Sequence, residues 1–181
     1  MTRIIAGAAG GRRIAVPPKG TRPTTDRVRE ALFSMLEARL DFDGIAVLDL
    51  FAGSGALGLE ALSRGADHVT LVELNAVASK VIAANIAAVG LPGTELRQSP
   101  VSAFLSTSPN RAYDLVLADP PYSVSAEEVS ALLSRLTNHW VNDDAIVVLE
   151  RDAAGPETVW PDGWEVTSRK YGGTRLELGA L

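Results

Sequence analysis

The chain has 181 residues, 46% of them hydrophobic and 22% charged, which is typical of one soluble domain with a substantial core. It contains no cysteine, which excludes disulfides and thiolate chemistry, and its two histidines, His68 and His139, have no ligand-like neighbours, so we expect no metal site. The net charge is −5, no apolar run approaches the ~18–20 residues of a membrane span, and the first residues lack a signal-peptide core, so we expect a cytoplasmic protein.

The first 30 residues are basic although the whole chain is acidic. They hold seven basic side chains and two acidic ones, whereas the remaining 151 residues hold 10 basic and 20 acidic ones. A basic segment on an acidic body suggests a polyanionic partner, although a solvated terminus would explain the same charges. Residues 3–7 and 12–16 are short β-prone runs around Ala-Ala-Gly-Gly, which predicts a hairpin. The candidate contacts in this segment are Arg3, Arg12, Arg13, Lys19 and Arg22.

The segment PPKGTRP (residues 17–23) separates this hairpin from the first helix, because prolines do not fit a helix interior. Thr24 or Thr25 then supplies the N-cap of a helix with an apolar stripe. We therefore predict a basic N-terminal arm over residues 1–24 and one larger domain over residues 25–181.

Two arginines at the start of this helix have two interpretations. Arg27 and Arg29 could bind a phosphate or the carboxylate of a cofactor. They could equally form helix-surface ion pairs with Asp26 or Glu30. The sequence leaves both open.

From residue 45 onward, apolar strands alternate with helices. The strands show little hydrophobic–polar alternation, which indicates a parallel sheet covered on both faces and an α/β fold class. We predict strands over residues 45–51, 68–74, 94–99, 113–119 and 145–151, and helices over 56–64, 76–89 and 126–136. Residues 164–171 and 174–181 flank a Gly-Gly pair, which predicts an antiparallel hairpin at the end of the chain.

The sequence VLDLFAGSGALGLEAL (residues 47–62) places a glycine-rich turn between a strand and a helix. Gly53, Gly55 and Gly58 match the pattern G-x-G-x-x-G, and Glu73 follows about 20 residues later, at the end of the next strand. A dinucleotide site shows the same pattern, and so does a purely structural turn. Asp49, however, puts a carboxylate near the loop, which suits a sulfonium better than a pyrophosphate. Glu73 suits a ribose with both hydroxyls free. A cationic nucleoside therefore fits the two carboxylates best, and S-adenosylmethionine is the common one.

Residues 115–123, LVLADPPYS, end a buried strand with two consecutive prolines. Proline cannot donate to a sheet ladder, so Asp119, Pro120 and Tyr122 are held in a non-helical turn. This turn is expected at the rim formed by the carboxyl ends of the strands, where Asp49 and Glu73 also lie. The Asp119 carboxylate and the Pro120 carbonyl can accept both N–H bonds of an exocyclic amine, while Tyr122 stacks on the base. This turn therefore predicts methylation of an amino group on a base.

Four segments together resemble a known family: FAGSGALGLEA, VELN, DPPY and the N-terminal block RIIAG…GRRI…TRPTTDRVREALF. They are similar to those of the bacterial 16S rRNA (guanine-N2)-methyltransferases that modify guanine 966. The first three segments are shared by class I methyltransferases acting on amino groups. The N-terminal block and the tail SRKYGGTRLEL narrow the resemblance to this family, and it covers nearly the whole chain.

The resemblance implies a Rossmann-like class I methyltransferase domain of seven strands with an antiparallel last strand. It also implies 16S rRNA of the small ribosomal subunit as the partner. From the charge of the arm we expect the arm to bind this RNA, and we expect a monomer. Cofactor contacts are implied for Asp49, Gly53, Gly55 and Glu73, and the target-base site for Asp119, Pro120 and Tyr122.

One position departs from the family pattern. The turn after the third strand of the series usually carries an acidic or amide group for the adenine amine, whereas this chain has Ser99-Pro100. The adenine contact is then expected from Ser99 or from the backbone N–H of Val101.

Three alternatives remain at this point. A DNA adenine-N6 or cytosine-N4 methyltransferase shares the DPPY chemistry, although about 20 residues of basic arm are few for reading a duplex sequence. An NAD-dependent oxidoreductase would use the glycine loop only. An RNA-binding ribosome-assembly factor without catalysis would leave Asp119 and Tyr122 without a role.

Overall fold

The computed structural model describes residues 1–18 and 24–181, so the predicted contacts Lys19 and Arg22 lie outside the described residues. The strands are β1 (Thr2–Arg3), β2 (Arg13–Ile14), β3 (Ala46–Leu50), β4 (His68–Glu73), β5 (Thr94–Gln98), β6 (Tyr113–Ala118), β7 (Val141–Asp152), β8 (Glu165–Tyr171) and β9 (Thr174–Ala180). The helices are α1 (Asp26–Glu37), α2 (Ala56–Ser63), α3 (Ala76–Val89), α4 (Val101–Leu105) and α5 (Ala126–Arg135).

Strands β3 to β9 form one sheet in the order β5-β4-β3-β6-β7-β9-β8. Neighbouring strands among β3–β7 run parallel, and β9 pairs antiparallel with both β7 and β8. This is the seven-stranded α/β sheet with an antiparallel last strand that the family resemblance implied, so the predicted fold class is confirmed. The short strands β1 and β2 pair antiparallel with each other, which confirms the predicted N-terminal hairpin.

The predicted elements end within about four residues of the observed ones. The largest differences are the end of β1, predicted at residue 7 and observed at Arg3, and the start of β7. This strand begins at Val141 rather than at residue 145, because a π-helical turn, Leu136–Trp140, joins α5 directly to it. The pairing of β6 with β7 shifts register between Tyr113 and Leu115, where the added residues are accommodated. Helix α4, which follows Pro100, was not predicted.

The sheet is covered on both faces, as its apolar strands require. One core joins the sheet to α1, α2, α3 and the arm, with Leu32, Leu59 and Ile82 at its centre. The other core joins the opposite face to α4 and α5 and is centred on Leu48, Val116 and Trp140. Because both faces are buried, the carboxyl ends of the parallel strands and the sheet edges are the parts left open to ligands.

Helix α1 begins as the sequence predicted. Thr25 is the N-cap, and its side chain accepts a hydrogen bond from the backbone N–H of Val28. The buried residues Leu32, Phe33 and Leu36 form the stripe that packs on the sheet.

The described part of the arm packs against the domain. Ile4, Ala9 and Ile14 are almost fully buried and belong to the same core as α1, α2 and α3. The division into an arm over residues 1–24 and a domain over residues 25–181 stays a prediction.

Two negative findings hold for residues 1–18 and 24–181. None of the helices there is long and apolar enough to cross a membrane. No group of three His, Asp or Glu side chains there is arranged to hold a metal ion.

Candidate active site

A cleft of about 1110 Å³ lies at the carboxyl ends of the central strands. Its wall contains Phe51 after β3, Glu73 at the end of β4, Asp119 after β6 and Glu150 near the end of β7. These four positions come from strands that are neighbours in the sheet, so the topology alone brings them to one rim. We call this cavity the cleft.

The glycine-rich loop turns sharply between β3 and α2. Gly53 and Gly55 have φ values of 60° and 78°, in the left-handed region that glycine tolerates best. A Cβ atom at Gly55 would also lie 3.1 Å from a methyl group of Leu71. Phe51 adopts φ 59° without being glycine, a conformation that costs on the order of 1–3 kcal/mol. Backbone strain is thus concentrated where the loop meets the cleft.

Glu73 is held by this loop. Its Oε2 accepts a hydrogen bond from the backbone N–H of Gly53 at 2.8 Å, and its Oε1 accepts one from Asn75 at 2.8 Å. Each carboxylate oxygen retains acceptor capacity, since an ionised carboxylate offers about four lone-pair sites. Glu73 therefore presents a rigid double acceptor to the cleft, which suits two vicinal hydroxyls.

Asp49 lies beneath the loop rather than on the cleft wall. Its Oδ2 accepts a hydrogen bond from the backbone N–H of Gly58 at 2.9 Å, in the first turn of α2. Burial raises the pKa of the Asp49 carboxyl to about 8, with Glu73 adding to the shift and the Gly58 bond opposing it. The sequence-based expectation of a negative charge at the loop therefore does not hold near neutral pH. Asp49 instead ties α2 to the end of β3.

The DPPY turn occupies the other side of the rim. Burial raises the pKa of the Asp119 carboxyl well above its ordinary value, with Glu150 and Asp49 adding to the shift and Arg151 opposing it. Pro120 is buried, whereas Tyr122 is 73% exposed at the mouth of the cleft. A half-buried carboxylate beside an exposed aromatic ring can bind a planar group that enters from solvent.

The Ser99-Pro100 turn follows the edge strand β5, the neighbour of the strand that ends at Glu73. Pro100 and Val101 line the cleft, but Ser99 does not. The Ser99 backbone N–H donates to the Glu73 carbonyl at 3.1 Å, and its hydroxyl donates to the Pro100 carbonyl at 3.0 Å. Of the two predicted adenine contacts, only Val101 borders the cavity.

The sequence analysis missed several cleft residues. They are Pro17, Leu74, Asn75, Arg135, Glu150 and Arg151. Glu150 and Arg151 could have been found, because they end a predicted parallel strand and so belong to the same rim. Pro17 comes from the arm and had no signal of this kind.

The predicted RNA-contacting arginines of the arm differ in the contacts that their side chains already make. The Arg3 side chain is 69% exposed, with its nitrogen 4.0 Å from Asp26. Arg13 is exposed on β2, whereas Arg12 donates to the carbonyl of Val89 at the end of α3.

Arg29 resolves one of the open alternatives. It is fully buried, pairs with Asp26 at 3.0 Å and donates to the carbonyl of Arg3. The ion-pair interpretation is therefore confirmed for Arg29, which fastens the arm to α1 and does not line the cleft.

Comparison with known proteins agrees with this geometry. A family model described as conserved hypothetical protein 95 matches residues 2–180. The ribosomal RNA small subunit methyltransferase D of Escherichia coli K12 is 38% identical over 173 residues, covering 94% of this chain and 85% of that protein. The protein of the same name from Haemophilus influenzae is 35% identical over 177 residues, covering 94% and 89%.

Two solved structures are similar over nearly their whole length. An Escherichia coli structure whose description places it among the methyltransferases has a TM-score of 0.85 at 31% identity, covering 99% of this chain and 97% of that chain. A hypothetical protein of Thermus thermophilus has a TM-score of 0.82 at 32% identity, covering 98% of each chain. These similarities confirm the resemblance drawn from the four segments. The chain therefore belongs to the family described as conserved hypothetical protein 95, which is the family of the ribosomal RNA small subunit methyltransferase D proteins.

Proposed function

We propose that the protein transfers a methyl group from S-adenosylmethionine to the exocyclic N2 of a guanine in 16S rRNA of the small ribosomal subunit. One observation carries this proposal: Glu73 and the DPPY turn face the same cleft, so a ribose site and an amine site share one cavity. Family membership supports it, since relatives are named as methyltransferases of small-subunit ribosomal RNA. Guanine 966 is the target that the family resemblance favours.

The cleft fits the cofactor from the loop side. Glu73 is placed to accept hydrogen bonds from the ribose hydroxyls, and Leu74, Pro100 and Val101 form an apolar wall for the adenine ring. Gly53 and Gly55 keep the loop close to this wall, and Asp49 anchors the loop from below. Ser99 would shape the turn through its bond to the Pro100 carbonyl and stays, beside Val101, a predicted contact for the adenine amine. When bound, S-adenosylmethionine supplies an electrophilic methyl group on a sulfonium.

The other side of the cleft would bind and orient the nucleophile. The amine of guanine is a poor nucleophile because its lone pair is delocalised into the ring. Ionised Asp119 and the Pro120 carbonyl would accept its two N–H bonds and favour tetrahedral nitrogen. A nitrogen–carbon bond then forms as the carbon–sulfur bond breaks, its electron pair stays on sulfur, and one amine proton is released. These residues contribute positioning and electrostatics, without a covalent intermediate on the protein.

Tyr122 would hold the base for this step. Its ring is exposed at the cleft mouth, where a base that has left its helix or lies in a loop can stack on it. Stacking of this kind is worth about 1–3 kcal/mol per base.

The arm is proposed to grip the RNA backbone. Arg3 and Arg13 expose their side chains on the described hairpin. Arg12 is also exposed and keeps its positive charge while it donates a hydrogen bond to the carbonyl of Val89. Lys19 and Arg22 complete the basic set outside the described residues. We further propose that the protein acts as a monomer in the cytoplasm, which sedimentation of the purified protein and fractionation of cells would test.

The experiment is a methyl-transfer assay with labelled S-adenosylmethionine on free 16S rRNA, 30S particles and duplex DNA. We expect label in RNA of one of the first two substrates and none in DNA. Label in DNA alone would establish the DNA methyltransferase alternative instead. Titration with NAD, monitored by tryptophan fluorescence, is expected to give no saturable change.

A further inference from the structure

Asn85 connects the arm to the glycine-rich loop. It is a lone polar residue in the otherwise apolar second half of α3 and is 2% exposed. Its Oδ1 accepts from the backbone N–H of Ala15 at 2.7 Å, and its Nδ2 donates to the Ala15 carbonyl at 2.9 Å. The same Nδ2 donates to the carbonyl of Ser54 at 2.8 Å. Because Ser54 lies between Gly53 and Gly55, one buried amide holds both the arm and the centre of the loop.

A second set of contacts fastens the arm to α2. Glu60 is fully buried, and its carboxylate accepts from the backbone N–H groups of Ile5 at 2.8 Å and Ala6 at 3.0 Å. Ser63 accepts from the Ala9 N–H at 2.9 Å and donates to the Ala6 carbonyl at 2.6 Å. Helix α2 directly follows the loop, so the arm is held by both α2 and α3.

The arm also reaches the cleft itself. Pro17 is buried and lines the cavity two residues after the contact between Ala15 and Asn85. If the arm leaves its site, the Asn85 amide loses two of its three bonds and the cleft loses part of its wall. Leaving a buried polar group unpaired is costly, which favours the docked arm.

We propose that Asn85 is a positioning residue that makes the cofactor loop depend on the docked arm. Cofactor binding and arm docking then stabilise each other, and this linkage is reciprocal. The inference deepens the proposed function, on which it rests: RNA that engages the docked arm would tighten the cofactor site before methyl transfer.

Two pairs of variants test the proposal in the full chain without RNA. Asn85→Ala removes the bridge, and its control is Asn142→Ala, which removes an exposed hydrogen bond to Asp114 at the far end of β7. Gly7→Ala undocks the arm, because its Cβ would lie 1.9 Å from the Ser63 carbonyl oxygen at φ 80°. Gly11→Ala is its control, with a similar φ of 83° and nothing within 4 Å of the added atom.

The readout is the Kd for S-adenosylhomocysteine by calorimetry, measured well below each variant's melting temperature. We expect Asn85→Ala and Gly7→Ala to raise this Kd about tenfold, which is within the ordinary range of coupling between two sites. Both controls should leave the Kd within about twofold of the wild-type value. Lowered melting temperatures with unchanged Kd would show that the contacts are merely structural and would overturn the proposal.

Hydrogen exchange of the wild-type protein gives a test that needs no variant. Adding S-adenosylhomocysteine should slow exchange of the Ile5, Ala6 and Ala15 amides together with that of the Gly53 amide. Slowing at Gly53 without slowing in the arm would refute the linkage while leaving the proposed function intact. No slowing at either place would instead contradict the proposed cofactor site.

Discussion

Two carboxylates of the cleft, those of Glu73 and Asp119, are prepared in opposite ways. Glu73 accepts backbone N–H groups on both oxygens, so its orientation is set before any ligand arrives. Among residues 1–18 and 24–181, the Asp119 carboxylate has no hydrogen-bond donor, and burial beside Glu150 raises its pKa. A carboxylate whose orientation is already fixed suits a cofactor that binds in every cycle. A carboxylate without a hydrogen-bond donor gains most when the amine of the substrate donates to it. The difference separates a binding side of the cleft from a reactive side.

The largest effect is expected on the reactive side. Asp119→Ala should lower the methyl-transfer rate by about 10²–10³-fold, because it removes an acceptor aimed at the reacting nitrogen. The Kd for S-adenosylhomocysteine should stay within a few fold. Asp119→Asn, which keeps one acceptor oxygen, is the matched control and should retain more activity. A loss of cofactor affinity equal to the loss of rate would show that Asp119 belongs to the binding side.

On the binding side, Glu73→Ala should weaken the binding of S-adenosylhomocysteine by roughly 1–3 kcal/mol, because the substitution removes charge-assisted hydrogen bonds and leaves their partners unpaired. Single-turnover rates at saturating cofactor should change much less than the Kd. Glu73→Gln keeps one acceptor and serves as the control. The contrast between the two carboxylates fails if calorimetry finds the variant's Kd unchanged.

The raised pKa of Asp119 predicts how the reactive side responds to pH. The protonated acid predominates below its pKa and is a weaker acceptor than the carboxylate for the amine N–H bond assigned to it, so kcat/KM should rise with pH, about tenfold per unit below that pKa. Asp119→Asn has no proton to lose there and should flatten this limb of the profile. An identical pH profile for wild type and Asp119→Asn would assign the titration to another group.

Asp49 predicts a stability effect beneath the binding side. Its folded-state pKa of about 8 lies above the ordinary 3.8, so the native protein keeps a proton that the unfolded chain releases between these values. The free energy of unfolding should therefore fall as pH rises through this window, by at most about 1.4 kcal/mol per unit. Asp49→Asn should remove this part of the slope, as measured by urea unfolding at pH 5 and pH 8. A slope that is the same in both proteins would show that Asp49 is ionised in the native state.

The smallest effect is expected outside the cleft. Arg13→Glu should weaken RNA binding a few fold and reduce its salt dependence by about one unit of slope per lost phosphate contact. Arg39→Glu, on an exposed turn after α1, is the control with the same charge change. Equal salt slopes for both variants in a binding titration would remove Arg13 from the RNA contact.

Much of the fold was predictable because it depends on local patterns. Buried strand segments such as residues 115–118 are continuous apolar runs, and glycine or proline marks where the strands stop. The rule that ligands bind at the carboxyl ends of parallel strands then placed Glu73 and Asp119 on one rim.

What could not be predicted depends on partners distant in sequence. Glu60 is the only charged residue of α2, and Asn85 is the only polar residue in the second half of α3. Their contacts with the arm are to backbone groups 54 to 70 residues away. The charge of Asp49 was misjudged because a pKa is set by burial, which no local pattern reveals. Arg29 was ambiguous for the same reason, since its burial and its bond to the Arg3 carbonyl depend on tertiary packing.

The central claim is that the reactive side of the cleft methylates an exocyclic amine of guanine. It is tested most directly with a 16S rRNA substrate in which the target guanine is replaced by inosine, which lacks only that amine. The account predicts methyl transfer to the guanine substrate and none to the inosine substrate, with both RNAs binding equally well. Transfer of label to the inosine substrate at a comparable rate would contradict it, because the methyl group would then have been transferred to an atom other than the exocyclic amine.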